Sequence, residues 1–381
     1  MAHSNTILSQ LLQLIPRHVF DAVERQHPSA RKARVFTRWA QFVSLAFIHL
    51  AARPSMRDGI RNLDANSQQF YHLGIKPVSR STFSDANNKR SADFFQTLLA
   101  EMYKRCEAIS PVHKFRFKHK LFSLDASTIK LCLEAFPWAS FRKNRGGIKL
   151  HTLLDHDGYI PALTVVTDAR QHESKVAKTL KLPKGSIVVF DKGYNNYQWF
   201  SALIESGVHF VTRLKKNAKF KVVKRNPVKR KQGVTSDQII RVKMRKGKLD
   251  LRRIGYRDRE TGKHYSFLTS NFSLSAKTIA EIYKERWQVE IFFRLIKQTL
   301  KVKSFVGKSE NAVLSQIYTA MIVHLLLAYL KFRSKIGRSL QQMIQLVQLN
   351  VFRRSNLEEL FDPPLKKTTI NVGYPLLEMA C

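Results

Sequence analysis

From residue 115 to residue 215 the chain alternates apolar runs with helix-period stretches, and that order leaves few folds open. "KLFSLDASTIKLCL" reads as a strand. "GGIKLHTLLDHDGYIPALTVVTDA" reads as two strands turned at Asp157-Gly158, a dipeptide suited to a hairpin. "ESKVAKTLKL" has helical spacing, and "SIVVFDKGY" is a short continuous apolar strand of the kind covered on both faces. "YQWFSALIESG" reads as a helix closed by Gly207, and "VHFVTRLK" as the next strand. Strand, hairpin, helix, strand, helix, strand predicts an α/β core built on a mixed sheet.

A basic segment then interrupts that core. Residues 213–260 hold 19 Lys+Arg against 4 Asp+Glu, and "FKVVKR", "IIRVKMRKGKLDLRRIGY" and "HYSFLTS" read as short strands with basic faces. This is a β-rich insertion, after which "SAKTIAEIYKERWQVEIFFRLIKQTL", N-capped by Ser275, rejoins the core as a helix. Ahead of the core, "ILSQLLQLI" and "WAQFVSLAFIHLAA" have helical spacing broken by Pro16, Pro28 and Pro54. "VSRSTFSDANNKRSADFFQTLLAEMYKRC" continues as helix and has room for a helix-turn-helix unit. The apolar run Tyr318 to Leu330 is too short to span a bilayer and reads as a buried core helix. "SLQQMIQLVQLNVF" is a further helix before a polar tail. The formal charge of the whole chain is +38, a surface that repels itself unless it meets a polyanion, and nucleic acid is the leading candidate. Cys106, Cys132 and Cys381 stand far apart with no C-x-x-C pair, against a zinc knuckle or a disulfide framework and consistent with a reducing compartment. The N-terminal segment has no signal-peptide pattern.

Three acids stand out. Asp125 in "FSLDAST" and Asp191 in "VVFDKGY" each come directly after an apolar strand, and ligands of open α/β sheets bind beyond strand carboxyl ends. A single Asp there is commonly a turn or cap residue. The third acid is Glu290 in "YKERWQVEIFFRLIK". At about 100° per residue, Tyr283, Arg286, Glu290 and Lys297 fall within an arc of about 60°, with Arg294 on its edge and Glu285 opposite. Ile282, Val289, Phe292, Phe293, Leu295 and Ile296 fill most of the remaining girth, so one acid sits in a row of cations on an otherwise apolar helix. A salt-bridged structural helix is the plain explanation. The chemical one is that three carboxylates hold two Mg²⁺ ions, which stabilise the attacking and leaving oxygens of an in-line phosphoryl displacement. The adjacent cations then hold the phosphodiester backbone.

Tyr, two residues, Arg, three, Glu, six, Lys is the signature of DDE transposases of the insertion-sequence-four family, and Tyr283, Arg286, Glu290 and Lys297 match it at every spacing. "LDAST" and "DKGY" look like the family's first and second Asp motifs, and the β insertion before the Glu helix is also similar. The resemblance covers roughly residues 115 to 335; the N-terminal helices look like a domain of one subgroup. It implies an α/β fold with an RNase H-like catalytic core, a β-rich insertion and a helical N-terminal domain. The expected division is 1–114 (helical, DNA-binding), 115–212 (first part of the core), 213–271 (basic insertion), 272–337 (second part of the core, with the Glu helix) and 338–381 (helical C-terminal segment).

The resemblance implies that Asp125, Asp191 and Glu290 bind two Mg²⁺, with Mn²⁺ able to substitute. Tyr283, Arg286, Trp287, Arg294, Lys297, Arg213 and Lys192 are the expected DNA contacts. It implies cut-and-paste movement of an element with inverted terminal repeats: water frees a 3′-OH, which then attacks target DNA. The partners are double-stranded terminal repeats, target DNA and a second copy of the chain in the DNA-bound complex, on the nucleoid in a prokaryotic cytoplasm. In relatives that form a hairpin, a flipped base stacks on Trp. Trp287 fits that role, but the insertion from 213 to 271 lacks Trp, so Phe220, Tyr256, Tyr265 or Phe267 would supply a second stacking ring. Asp168, His172 and Glu173 gather at a strand end, where His172 is a candidate to touch water or phosphate. His151 and His156 read as structural or exposed, and Tyr194 as packing. A metal-dependent nuclease that cuts without joining and a non-catalytic DNA-binding regulator are the competing readings.

Overall fold

A computed structural model describes residues 5–28, 33–142, 145–171, 173–244, 247–299 and 305–362. Its strands are β1 (Leu121–Leu131), β2 (Ser140–Arg142), β3 (Arg145–Asp155), β4 (Ile160–Asp168), β5 (Ile187–Phe190), β6 (His209–Arg213), β7 (Lys221–Arg225), β8 (Val234–Lys243), β9 (Lys248–Arg257) and β10 (His264–Thr269). β4, β3 and β1 are antiparallel neighbours, whereas β5 pairs parallel with β1, and β6 parallel with β5. Three antiparallel strands and then two parallel ones is the RNase H-like order, now explicit in the pairing.

Alternation along the central strands explains why both sheet faces are covered. Phe122, Leu124, Val188, Phe190 and Phe210 pack with Trp199, Phe200 and Leu203 of the helix Tyr197–Glu205. Leu121, Ile187, Val189 and Val211 point the other way, onto Ile279, Ala280, Ile282 and Tyr283 of the helix Ala276–Glu285. Each fully buried side chain of this kind contributes about 1.5–3 kcal/mol. The β3–β4 turn uses Gly158 at φ 74°, where an added Cβ would lie 2.6 Å from the Phe332 ring. That position therefore requires glycine for both conformation and space.

The insertion does not stand apart from the core. β10 pairs antiparallel with β6, and β9, β8 and β7 come next in order, so β7–β10 extend the same sheet. Its charge is also less available than its composition suggests. Arg252 is buried against Asp237 through hydrogen bonds of 3.0 and 2.7 Å, and Arg241 grips Asp250 at 2.6 and 2.7 Å. Arg253 bonds Gln238 and Ser266 and lies over the Phe220 ring.

Ser275 caps the Glu-bearing helix as expected. That helix is nevertheless not one rod. It runs from Ala276 to Glu285, resumes from Trp287 to Arg294, and unwinds into a π-helix over Leu295–Thr299. The Arg286 N–H bonds the Tyr283 carbonyl, and the Val289 N–H bonds the Arg286 carbonyl, both three residues back. The expected strand-end placement of Asp125 also needs correction. β1 continues past it to Leu131 because β3 goes on pairing with β1, whereas the β1–β5 pairing stops at Leu124.

The N-terminal helices Ile7–Leu12, Arg17–Gln26, Arg38–Leu50, Met56–Asp64, Arg80–Lys89 and Asp93–Glu107 share one apolar core with Glu310–Arg333 and Leu340–Asn350. The pair Arg80–Lys89 and Asp93–Glu107 is joined by three residues, a break in what the sequence suggests is continuous helix. His49 meets the Gln316 carbonyl at 2.9 Å, and Gln10 donates to the Ser355 carbonyl, tying N-terminal helices to segments that follow the core. Glu310–Arg333 is long and apolar enough to cross a membrane, but it is mostly buried and serves as the hub of this helical body.

Candidate active site

Sheet register assembles the first two acids. Leu124 of β1 pairs with Phe190 of β5, so Asp125 and Asp191 come next, abreast on adjacent parallel strands. The short chain reversal Lys192–Tyr194 begins immediately after Asp191. The helix Ala276–Glu285 lies across one sheet face and delivers Arg286 and Glu290 to the same edge.

One guanidinium ties strand to helix. Arg286 donates from Nη1 to Asp125 Oδ2 at 2.8 Å and from Nη2 to Glu290 Oε1 at 2.6 Å. Tyr283 donates its hydroxyl to Asp191 Oδ1 at 3.2 Å. Lys297 donates to Ser127 Oγ at 2.6 Å and to the Thr128 carbonyl at 2.8 Å. Three of the four stripe residues thus reach motifs on β1 or β5, and the fourth, Glu290, reaches β1 through Arg286. Sequence reading misses Ser127 and Thr128, although they belong to the "LDAST" run that carries Asp125.

Burial sets the electrostatics. Desolvation pushes the Asp125 carboxyl up to about 6, against the pull of Arg286 and the Ala126 N–H, and Glu290 and Glu173 add to the rise. For Arg286, burial disfavours the charge, but the hydrogen bond to Glu290 and the field of Asp125 outweigh it and hold its pKa above the ordinary value. Tyr283 is pushed up to about 12, chiefly by burial, and stays a donor. This is a site organised around a cation among acids.

Asp125 and Glu290 close on Arg286 rather than on each other, and among the described residues no three His, Cys, Asp or Glu form a preassembled metal cluster. The donor set still fits a hard divalent cation. All three acids offer carboxylate oxygens, and the guanidinium already stands as a positive charge between two of them.

The remaining expected contacts differ in availability. Trp287 is 51% exposed beside Arg286, and Lys192 and Arg294 are exposed. Arg213 is half-buried, its guanidinium 5.3 Å from the Tyr265 ring centroid. Of the substitute stacking rings, Phe267 is buried between Tyr265 and Tyr283 and cannot take a base on its face. Phe220, Tyr256 and Tyr265 keep some exposure. His151 and His156 are buried, bonded to Thr167 and Ser123, and each is pushed down to about 4 by burial. Glu285 is a structural acid gripped by Lys114 at 2.5 Å and Tyr159 at 2.9 Å. Asp168 is exposed at the end of β4, and His172 lies outside the described residues.

A family profile described as Transposase DDE domain matches residues 116–326, and one described as a domain of unknown function matches residues 3–76. A putative transposase of Sinorhizobium fredii is 34% identical over 62% of this chain and 67% of its own length. A probable transposase for an insertion sequence element of Geobacillus stearothermophilus is 29% identical over 69% of this chain and 70% of its own. A putative transposase for an insertion sequence element of Synechocystis is 24% identical over 81% of this chain and 86% of its own.

Proposed function

This chain belongs to the Transposase DDE domain family, and from that premise we propose that Asp125, Asp191 and Glu290 are the catalytic carboxylates of a cut-and-paste transposase. The observation that carries the reading is the single guanidinium of Arg286 shared by Asp125 and Glu290, residues 165 positions apart. The three acids would hold two Mg²⁺, or Mn²⁺ in its place. When bound, such ions stabilise both the attacking and the leaving oxygens of phosphoryl transfer.

The chain's own residues do the positioning. Arg286, moving off the carboxylates, is the donor best placed for a backbone phosphate, and its planar fork suits that geometry. Tyr283 orients Asp191, and Lys297 sets the spacing between the helix and the "AST" part of β1. Trp287, Arg294, Lys192 and Arg213, each at least partly exposed, contact the terminal-repeat duplex. Two copies act together on two DNA ends, on the nucleoid. The helical region before residue 115 contributes further DNA contacts.

The test is cleavage and joining of a labelled duplex that carries the element's own end. Wild type and Glu290→Gln are compared in Mg²⁺, Mn²⁺ and Ca²⁺. Metal-dependent nicking that disappears in the variant, with DNA binding kept, supports the assignment. A Glu290→Gln protein that cuts as well as wild type sinks it. Nicking with no joined product favours a nuclease that cuts without joining.

A further inference from the structure

The catalytic edge has another wall that the three-acid scheme does not use. Glu173 opens the short helix Glu173–Ala177 after β4, and its Oε2 lies 2.9 Å from where a Cβ on Gly193 would stand. Its Oε1 is 3.7 Å from Lys149 Nζ, so the carboxylate is held from one side by a cation and rests on the Asp191-Lys192-Gly193 turn on the other. Lys149 lies on β3 opposite Thr128, three residues beyond Asp125 on β1.

Tyr194 supplies the second, independent observation. It is 1% exposed, and its ring packs against Phe190 and Trp199. Packing accounts for the ring but not for the hydroxyl, which has no hydrogen-bond partner among the described residues. A buried donor left unmatched is costly. The phenol is pushed far up, first by burial and then by the negative charges of Glu173, Asp125 and Asp191, so the hydroxyl stays protonated and acts as a donor.

We propose that Glu173 and Tyr194 position the attacking water of the first, hydrolytic cut. This rests on Asp125, Asp191 and Glu290 being the catalytic acids. Tyr194 donates to the water oxygen, and Glu173 accepts one of its hydrogens, the two-sided hold that fixes a water's orientation. The water oxygen bonds to phosphorus while the P–O3′ bond breaks, its electron pair leaving on O3′. The proton lost by the water passes to Glu173 and on to solvent, and O3′ takes a proton from solvent to become the free 3′-OH. In the joining step the nucleophile is that 3′-OH, placed by the DNA itself, so the pair is not required there. Gly193 belongs to the same device: any side chain at 193 would push the Glu173 carboxylate off its seat.

The experiment uses two labelled duplexes carrying the same element end, one intact and one already nicked to expose the 3′-OH. Tyr194→Phe, Glu173→Gln and Gly193→Ala are compared with wild type for nicking of the first and joining of the second. Thermal midpoint and DNA affinity are measured on the same proteins. The expected result is nicking down by about 10²-fold or more, the scale of a lost proton-accepting group, with joining retained. Tyr194→Phe keeps the buried ring and so isolates the hydroxyl. Equal losses in nicking and joining, or nicking unchanged in Tyr194→Phe and Glu173→Gln, overturn the proposal and leave the three-acid assignment standing. If Glu290→Gln also nicks and joins normally on these duplexes, it is the three-acid assignment that fails.

Discussion

Asp125→Asn should make the metal-free protein more stable while abolishing cleavage. The Asp125 side chain is 18% exposed, and burial pushes its carboxyl from the ordinary 3.8 to about 6 despite the bond from Arg286. A folded-state value above the unfolded one means that the fold prefers the protonated acid. That preference is fully present below 3.8 and is lost as pH rises through about 6. At 1.36 kcal/mol per pKa unit, ionised Asp125 costs the fold about 3 kcal/mol at neutral pH. Asparagine keeps the shape without the charge, so its gain should approach that figure near pH 7.5 and shrink towards zero near pH 4. Urea unfolding in EDTA at both pH values, monitored by tryptophan fluorescence, reads the difference directly. Adding Mg²⁺ should then raise wild type selectively, because a cation that binds only the folded carboxylates stabilises by mass action. A variant less stable than wild type at pH 7.5, or a gain of equal size at both pH values, would refute the reasoning. In the first case the Arg286 pair would have to outweigh burial.

Glu285→Gln should behave in the opposite way: nicking persists, and stability falls by about 1–3 kcal/mol as two charge-assisted bonds weaken. The Glu285 carboxyl is held below its ordinary range by Lys114 and Tyr159 against burial, so the deficit measured in urea should be present at neutral pH and fade as pH drops through that lowered value. Gly158→Ala should cost about 1–3 kcal/mol in the same assay, from a left-handed backbone and a Cβ driven into Phe332. Arg294→Gln, at an exposed site, should weaken DNA binding alike for all sequences and lower the salt slope by about 1, as read by titration between 50 and 200 mM salt. Trp287→Ala should leave stability within about 0.5 kcal/mol and weaken binding of the element end by about 1–3 kcal/mol, measured by fluorescence anisotropy.

The sequence makes the strands of the core legible because burial on two faces writes itself as continuous apolar runs, "SIVVF" above all, and because Asp157-Gly158 fixes the hairpin between them. It cannot show that Leu124 and Phe190 are partners, and that single register is what brings Asp125 and Asp191 abreast. The helix is a subtler case. The stripe from Tyr283 to Lys297 is drawn on an ideal helix, yet the chain tightens around Arg286, where N–H groups bond three residues back, and loosens into a π turn from Leu295. A three-residue bond overwinds a helix and a π turn underwinds it, so the two departures offset each other. Lys297 still arrives over β1, where it meets Ser127 and the Thr128 carbonyl. Periodicity therefore locates the functional face while misreading the path that delivers it. Tyr194 shows the other limit: its apolar neighbours account for a packed ring, and only the tertiary structure reveals that the same ring leaves a buried hydroxyl unmatched.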